Sequence, residues 1–569
     1  MIRLKEIRDR IIQYFCIDKG IENTSIPNVS NQGKYVETKP KKIKKYKRIL
    51  DSVHGTISIE ERYFELIDTP HFQRLRRIEQ TSTRSIFPSA RHDRFVHSLG
   101  VFYIGQEIVN HLKSDIKALG IVSIEDYKKR NSTFRMYLVA CLLHDVGHSP
   151  FSHSFEKYIG KKEILCNKLK ELINTETFNQ DTTNLPKDTK WHEYASAILC
   201  CQKPLNGLIQ RTIGKECDLE YIARMITGIE YSDDEGEYSL RNCFIRLLHG
   251  EIDADRIDYA CRDTWAAGYS KHSIDAKSLI TCMHIRRRKA NSESYCICFD
   301  KRALTEIESV FGVKEFQNLH VFNHHTVIYE QHLLEKAVLT MALSKAREAN
   351  PGFSFSGEDA EFRAMNSILN INTLTDIDEN IKYICDDDLI CLMKKYNNAY
   401  YIEWSSRKYK MISVWKSIEE FSGKYKKKNV LLNKEANFEE KISEKLEEIL
   451  QQYEYKDEKP LRERFYIGHV EIKENSDLSK IQVLLDDNIV KYSDIHHAHT
   501  NYDPYVGLFY YVYVEVPEDY SKKQTTNEFR REIAVRLKDT IDEVYGSNNC
   551  FIQKIKRCIK YTHTQLRQR

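Results

Sequence analysis

The 569-residue chain has no apolar run approaching the ~18 residues that cross a bilayer, so no transmembrane helix is expected. Its first residues, MIRLKEIRDRIIQYF, mix charge into the apolar positions. That pattern reads as a short amphipathic helix, not as the uninterrupted apolar segment of a secretory signal, and the expected location is cytoplasmic. Fifteen cysteines are scattered, with Cys200 and Cys201 adjacent, and no CxxC pair recurs at zinc-finger spacing. They are expected to be reduced core residues, with neither a disulfide framework nor a cysteine-bound zinc. An excess of one charge is also missing: 87 basic residues face 83 acidic ones, a net +4. Nothing global demands nucleic acid. The local exception is KPKKIKKYKR at 39–48. Its default reading is a solvated linker; the sharper one is binding of phosphates, from nucleotide or from nucleic acid.

There is no internal repeat and no long low-complexity segment. Three regions are expected: a basic N-terminal extension (1–46), a helical core (47–395) and a smaller α+β region (396–569). In the core, apolar residues recur at three-to-four spacing in 101–112, 136–144, 194–201, 219–230, 243–249 and 327–343, predicting helices. Beyond 396, VGLFYYVYVEV (506–516), RFYIGHVEI (464–472) and KIQVLL (480–485) read as strands, with helices over 435–452 and 526–543.

The strongest chemical signal is LLHDVGHSPFSH at 142–153, which follows the apolar MYLVACLL. His144 and Asp145 offer a nitrogen and a carboxylate oxygen side by side, a pair able to bind one divalent ion. For the dipeptide alone, a hydrogen-bonded core pair is the plainer reading. Three features change that. His148 and His153 follow in a stretch broken by Gly147 and Pro150, and so many ionisable groups beside an apolar helix are costly to bury without a role. RFVHSLGV (94–101) puts His97 at the head of another apolar helix, with Arg94 three residues earlier on the same face. EIDADRIDYACRD (251–263) spaces Asp255, Tyr259 and Asp263 four apart, so that they drift by only ~80° around a helix and line one wall.

Together RFVHSLGV, LLHDVGHSPFSH and DADRIDYACRD resemble the HD-domain deoxynucleoside triphosphate triphosphohydrolases, the bacterial dGTPase-like enzymes and the vertebrate SAM-and-HD-domain factor among them. HGTISIEERYFELIDTPHFQRLRRIEQ (54–80) resembles that family's N-terminal signature. The resemblance covers roughly 47–340, and no SAM domain is expected ahead of it. It implies a mainly α protein with an HD-domain helical core. His97, His144, Asp145 and Asp255 are the implied ligands of one divalent metal, Fe, Mn, Zn or Mg. His153 is the implied catalytic histidine, oriented by Glu156, with His192 a second one. His148, Arg94 and Arg256 are implied phosphate contacts, Tyr259 packs beneath the sugar, and Gln80 and Asp263 bond its 3′-hydroxyl. The implied reaction converts dNTP and water to deoxynucleoside and tripolyphosphate.

The chain departs from the family at Thr81–Arg84, where relatives that exclude ribonucleotides have a Leu–Gly–Gly run. On the helix expected around 322–338, His325 and Tyr329 stand where vertebrate relatives have arginine and histidine, and Leu333 replaces a tyrosine. Tyr329 is retained as a substrate-contact candidate. Lys47, Asp68, Gln73 and Arg76 match residues that bind an activating nucleotide between subunits, although Leu50 replaces an asparagine there. A homo-oligomer, dimer or tetramer, is expected. Two other readings are an HD phosphodiesterase or nuclease acting on nucleic acid or cyclic nucleotide, and an inactive nucleotide sensor.

Overall fold

In the computed structural model, the described residues are 45–546, apart from 82, 84, 120–123, 184–188, 270–273, 290–291, 353–357, 376–380, 428, 434–436, 473–477, 487, 496–506 and 521–522. The expected extension and most of the basic run, 39–44, lie outside them. The remainder of that run opens a hairpin of β1 (Tyr46–Asp51) and β2 (Gly55–Glu60), paired antiparallel from Tyr46↔Glu60 to Asp51↔Gly55.

Helices then build the core. α1 (Arg94–Ala118) starts at Asp93, whose side chain accepts the Val96 N–H and satisfies one of the free amides of the first turn. α2 (Ile124–Leu143) delivers the apolar MYLVACLL and stops immediately before His144. α3 (Trp191–Cys201) packs against α4 (Leu219–Thr227), which packs in turn against α2. α5 (Ala254–Ala266) is capped by Asp253 and lies across α1.

β3 (Met283–Arg287) and β4 (Tyr295–Asp300) interrupt the helical run before α6 (Leu304–Phe316), α7 (His325–Ala349) and α8 (Asp386–Tyr396). The C-terminal region supplies β5 (Met411–Ser413), α9 (Phe438–Leu450), β6 (Phe465–Ile472), β7 (Gln482–Leu485), β8 (Asn488–Lys491), β9 (Gly507–Glu515) and α10 (Lys523–Arg536). The chain is therefore mainly helical, with a small α+β portion near its C-terminus.

The mostly helical reading of 47–395 names none of its four strands. β1 and β2 form a two-stranded sheet; β3 and β4 begin a four-stranded one, ordered β3-β4-β7-β8. β7 joins β4 in parallel, Cys298↔Gln482 to Asp300↔Leu484, so the segment after 396 completes a sheet begun in the core. The third sheet, β5-β9-β6, belongs to a second apolar core around Trp415, Phe421, Tyr513 and Phe529. The first core, by contrast, includes Ile481, Val483 and Tyr492. Among the described residues, no helix is long and apolar enough to cross a membrane.

Candidate active site

The end of α2, the head of α1 and the first turn of α5 meet at one point. There His97, His144 and Asp145 bring their ligand-capable atoms within 4.8 Å of one another. Asp255 joins them: its Oδ1 lies 2.9 Å from His97 Nε2 and 3.8 Å from His144 Nε2. This arrangement fits a divalent ion. Two imidazole nitrogens and two carboxylates face one space, a donor set several first-row metals and magnesium accept. His144 Nε2 is buried and has no hydrogen-bond partner, while its Nδ1–H donates to the Cys141 carbonyl at 2.9 Å. That back-side bond fixes the tautomer that leaves Nε2 free to ligate.

The electrostatics point the same way. Burial alone would pull the His97 imidazolium down, yet the hydrogen-bonded carboxylates of Asp255 and Asp258 outweigh it and push the ring up to about 10. The field of this site favours a cation. Asp145 is desolvated, but Arg94, His144 and His148 hold its carboxyl well below the usual range. Arg94 Nη1 donates to Asp145 Oδ2 at 2.5 Å.

Behind His97 stands a network that sequence reasoning passed over. His97 Nδ1–H donates to Asp258 Oδ2 at 2.8 Å, and His54 Nε2 meets Asp258 Oδ1 at 2.5 Å. Arg262 brackets Asp258 with Nε and Nη2, at 2.9 and 3.0 Å, and reaches Asp51 with Nη1 at 2.8 Å. Asp258 is wholly buried. Gly100 on α1 makes room for it, because a Cβ there would sit 1.9 Å from Asp258 Oδ1. The available signal was the i, i+4 pair Asp258–Arg262 within α5, which an eye on Asp255, Tyr259 and Asp263 overlooks.

A second group adjoins the first. His148, His153, Glu156 and His192 also bring their ligand-capable atoms within 4.8 Å of one another. His148 Nε2 lies 3.2 Å from Asp145 Oδ1, and its ring stacks on His192 with centroids 3.8 Å apart. Burial, with Arg94 and His192, holds His148 well below its usual value, hence neutral. His192 Nδ1 donates to Glu156 Oε2 at 2.6 Å, and His153 Nδ1 stands 3.4 Å from the same oxygen. Burial would raise Glu156, but the two imidazoles hold it well below the carboxylate range. The tight passage of this loop over α3 requires Gly147: a Cβ would lie 2.3 Å from the Ser196 nitrogen.

The sugar-side candidates flank these groups. Gln80 is buried, its Oε1 has no hydrogen-bond partner among the described residues, and its carbonyl faces Arg94. Asp263 Oδ1 bonds His92 Nε2 at 2.7 Å. Tyr259 lies among Arg256, Asp255, Asp253 and Asp263, and its phenol is pushed up chiefly by burial. Arg256 turns back to Glu251, with Nη1 2.7 Å from Oε2.

The comparisons with known proteins place this constellation. Residues 94–236 match the HD domain family model. The chain carries an HD domain. The match spans His97, His144, Asp145 and the whole second group, while Asp255 follows it in sequence. An uncharacterized protein of Methanocaldococcus jannaschii is 26% identical over 297 residues, 52% of this chain and 49% of the relative. The chicken deoxynucleoside triphosphate triphosphohydrolase SAMHD1 is 28% identical over 285 residues, 48% of this chain and 42% of the relative. The chain thus spans about half the length of the curated relatives it matches. A phosphohydrolase of Bacteroides thetaiotaomicron shares the fold, with a TM-score of 0.54 at 20% identity over 83% of this chain and all of that one.

Around the HD domain, two sets of expected residues are located elsewhere. Tyr329, expected at the substrate, is 4% exposed within the second core. Its hydroxyl donates to Glu403 at 2.7 Å and its ring stacks on Tyr513. α7 is amphipathic toward both cores, so helical spacing alone could not say which face meets the site. Lys47, Asp68, Gln73 and Arg76 make two pairs: Lys47 Nζ pairs with Asp68 at 2.7 Å, and Arg76 Nε donates to Gln73 at 2.9 Å while lying over Phe95.

Proposed function

We propose that this protein is a metal-dependent dNTP triphosphohydrolase, converting dNTP and water to deoxynucleoside and tripolyphosphate. The observation that carries the reading is contiguity. Asp145 belongs to the metal-fitting group and also stands 3.2 Å from His148 in a second group, which can move a proton. The names of vertebrate relatives, deoxynucleoside triphosphate triphosphohydrolases, support the substrate class.

His97, His144, Asp145 and Asp255 would hold the ion, which, when bound, supplies a Lewis acid and a water of lowered pKa. The chain's residues supply the rest. Arg94 and the neutral His148 offer donors to the phosphates beside Asp145. His153, with 54% of its side chain exposed, is the accessible proton carrier. Its Nδ1 faces Glu156, and its Nε2, 3.5 Å from Arg94 Nη2, is the nitrogen that would hand a proton to the leaving 5′-oxygen as the P–O5′ bond breaks. The unpartnered Gln80 Oε1 accepts from a sugar hydroxyl, and Asp263 does the same from the other wall. We further read Lys47, Asp68, Gln73 and Arg76 as an activating-nucleotide site in an oligomer.

The test is a turnover assay on each dNTP and NTP, alone and mixed, with Mn, Mg, Fe or Zn, and phosphate products separated by chromatography. Tripolyphosphate from deoxynucleotides is the expected product. Monophosphate or pyrophosphate would refute the reading and point to a phosphodiesterase; turnover only in mixtures would identify the activator site.

A further inference from the structure

The loop that carries His148, His153 and Glu156 contains two consecutive residues in the left-handed region, Phe151 (φ 55°) and Ser152 (φ 54°). Side chains other than glycine adopt that conformation rarely and, as a rule, singly, so surrounding contacts must impose it. The contacts are visible. Asp386, the first residue of α8 and only 5% exposed, accepts the Phe151 N–H on Oδ1 at 2.7 Å. Its Oδ2 accepts the Glu79 N–H at 3.0 Å, one residue before Gln80. The Ser152 hydroxyl donates to the Glu79 carbonyl and accepts from Arg94 Nε.

A second tie runs from the same place. Buried Arg74 donates to the Ile384 carbonyl at 2.8 Å, and to those of Val146 and His148 at 2.9 and 2.5 Å. The segment 384–386 therefore grips the loop at both ends, 146–148 and 151. It lies more than 230 residues away in sequence, outside every motif that marked the site.

We propose that Asp386 is a positioning residue: its carboxylate latches the strained 148–153 turn to the Gln80 segment and so sets where His153 stands. It touches neither substrate nor metal and acts through backbone amides alone. Burial lifts its pKa to about 7, but the two N–H donors from separate segments converge on its two oxygens and favour the carboxylate. Asparagine would aim its own NH2 at one of them. The identity of His153 as proton carrier rests on the function proposed above; the latch itself does not.

The test uses the full chain, metal-loaded, with Asp386→Asn. Amide hydrogen exchange in 146–156 is expected to quicken at least about tenfold, with α1 and α5 unchanged. kcat on dNTP is expected to fall about 10–100-fold, with KM and bound metal unchanged. Unchanged exchange in 146–156, or loss of metal in step with loss of turnover, would overturn the latch. If the wild-type protein hydrolyses no dNTP, the functional reading fails while the exchange result still decides the latch. Should Asp386→Asn not fold, Asp386→Ala, which removes both acceptors and adds no donor, is read the same way.

Discussion

The two histidine–carboxylate groups lie against each other and are built in opposite ways. In the metal-fitting group three of the four members are braced from behind: His97 by Asp258, His144 by the Cys141 carbonyl, Asp145 by Arg94. Its members come from the ends of long helices. In the neighbouring group, His153 is more than half exposed on a strained turn and shares Glu156 with His192. Holding an ion calls for fixed, deprotonated donors; moving a proton calls for a group that changes charge and can reach a substrate. Neutral His148 forms the border between the two.

Removing Asp145 should show the largest effect. Asp145→Asn is expected to lose both bound metal, measured by elemental mass spectrometry, and all turnover. Asp145→Ala should in addition cost about 3–5 kcal/mol of stability, because the buried Arg94 guanidinium loses its partner. An Asn variant that is free of metal yet fully active would sink the assignment. His153→Gln should divide the groups cleanly, keeping the metal and the melting temperature while turnover drops about 10²–10⁴-fold. If the metal leaves with it, the groups are not separate devices. Asp258→Asn should act on the other side, weakening metal affinity about 10–100-fold in a competition titration while the proton-transfer group is untouched. Wild-type affinity in that variant would mean that Asp258 only packs.

How far these groups could be read from sequence follows the same division. His97, His144 and Asp145 were legible because each sits next to an apolar helix whose period announces it. The helical spacing read in 101–112, 194–201 and 327–343 falls inside the helices at 94–118, 191–201 and 325–349. The bracing was not legible. Asp258 needs His54, Arg262 and Asp51 to make sense, and those contacts span up to 211 residues. Asp386 is equally distant from the turn it holds. Tyr329, expected at the substrate from the family resemblance of its helix, lies instead in the second core, bonded to Glu403. The four strands β1 to β4 are five or six residues long, too short for their alternation to stand out in a helical context. The parallel union of β4 with β7 leaves no local trace at all.

The finest way to sharpen the comparison is a pH profile. Desolvation, Arg94 and His192 lower the pKa of His153, while Glu156 raises it by favouring the imidazolium. The alkaline limb of kcat/KM, where the free enzyme's histidine loses the proton it must donate, is therefore expected below the ordinary histidine value. Glu156→Gln removes the raising influence, so the limb should move further down, by about 1 pH unit for the loss of one opposite charge at this range. The metal-fitting group does not share that carboxylate, so the metal content should stay constant across the shift. A limb that stays in place or moves up would mean that the titrating group does not feel the Glu156 charge, and would take the proton-carrying role away from His153.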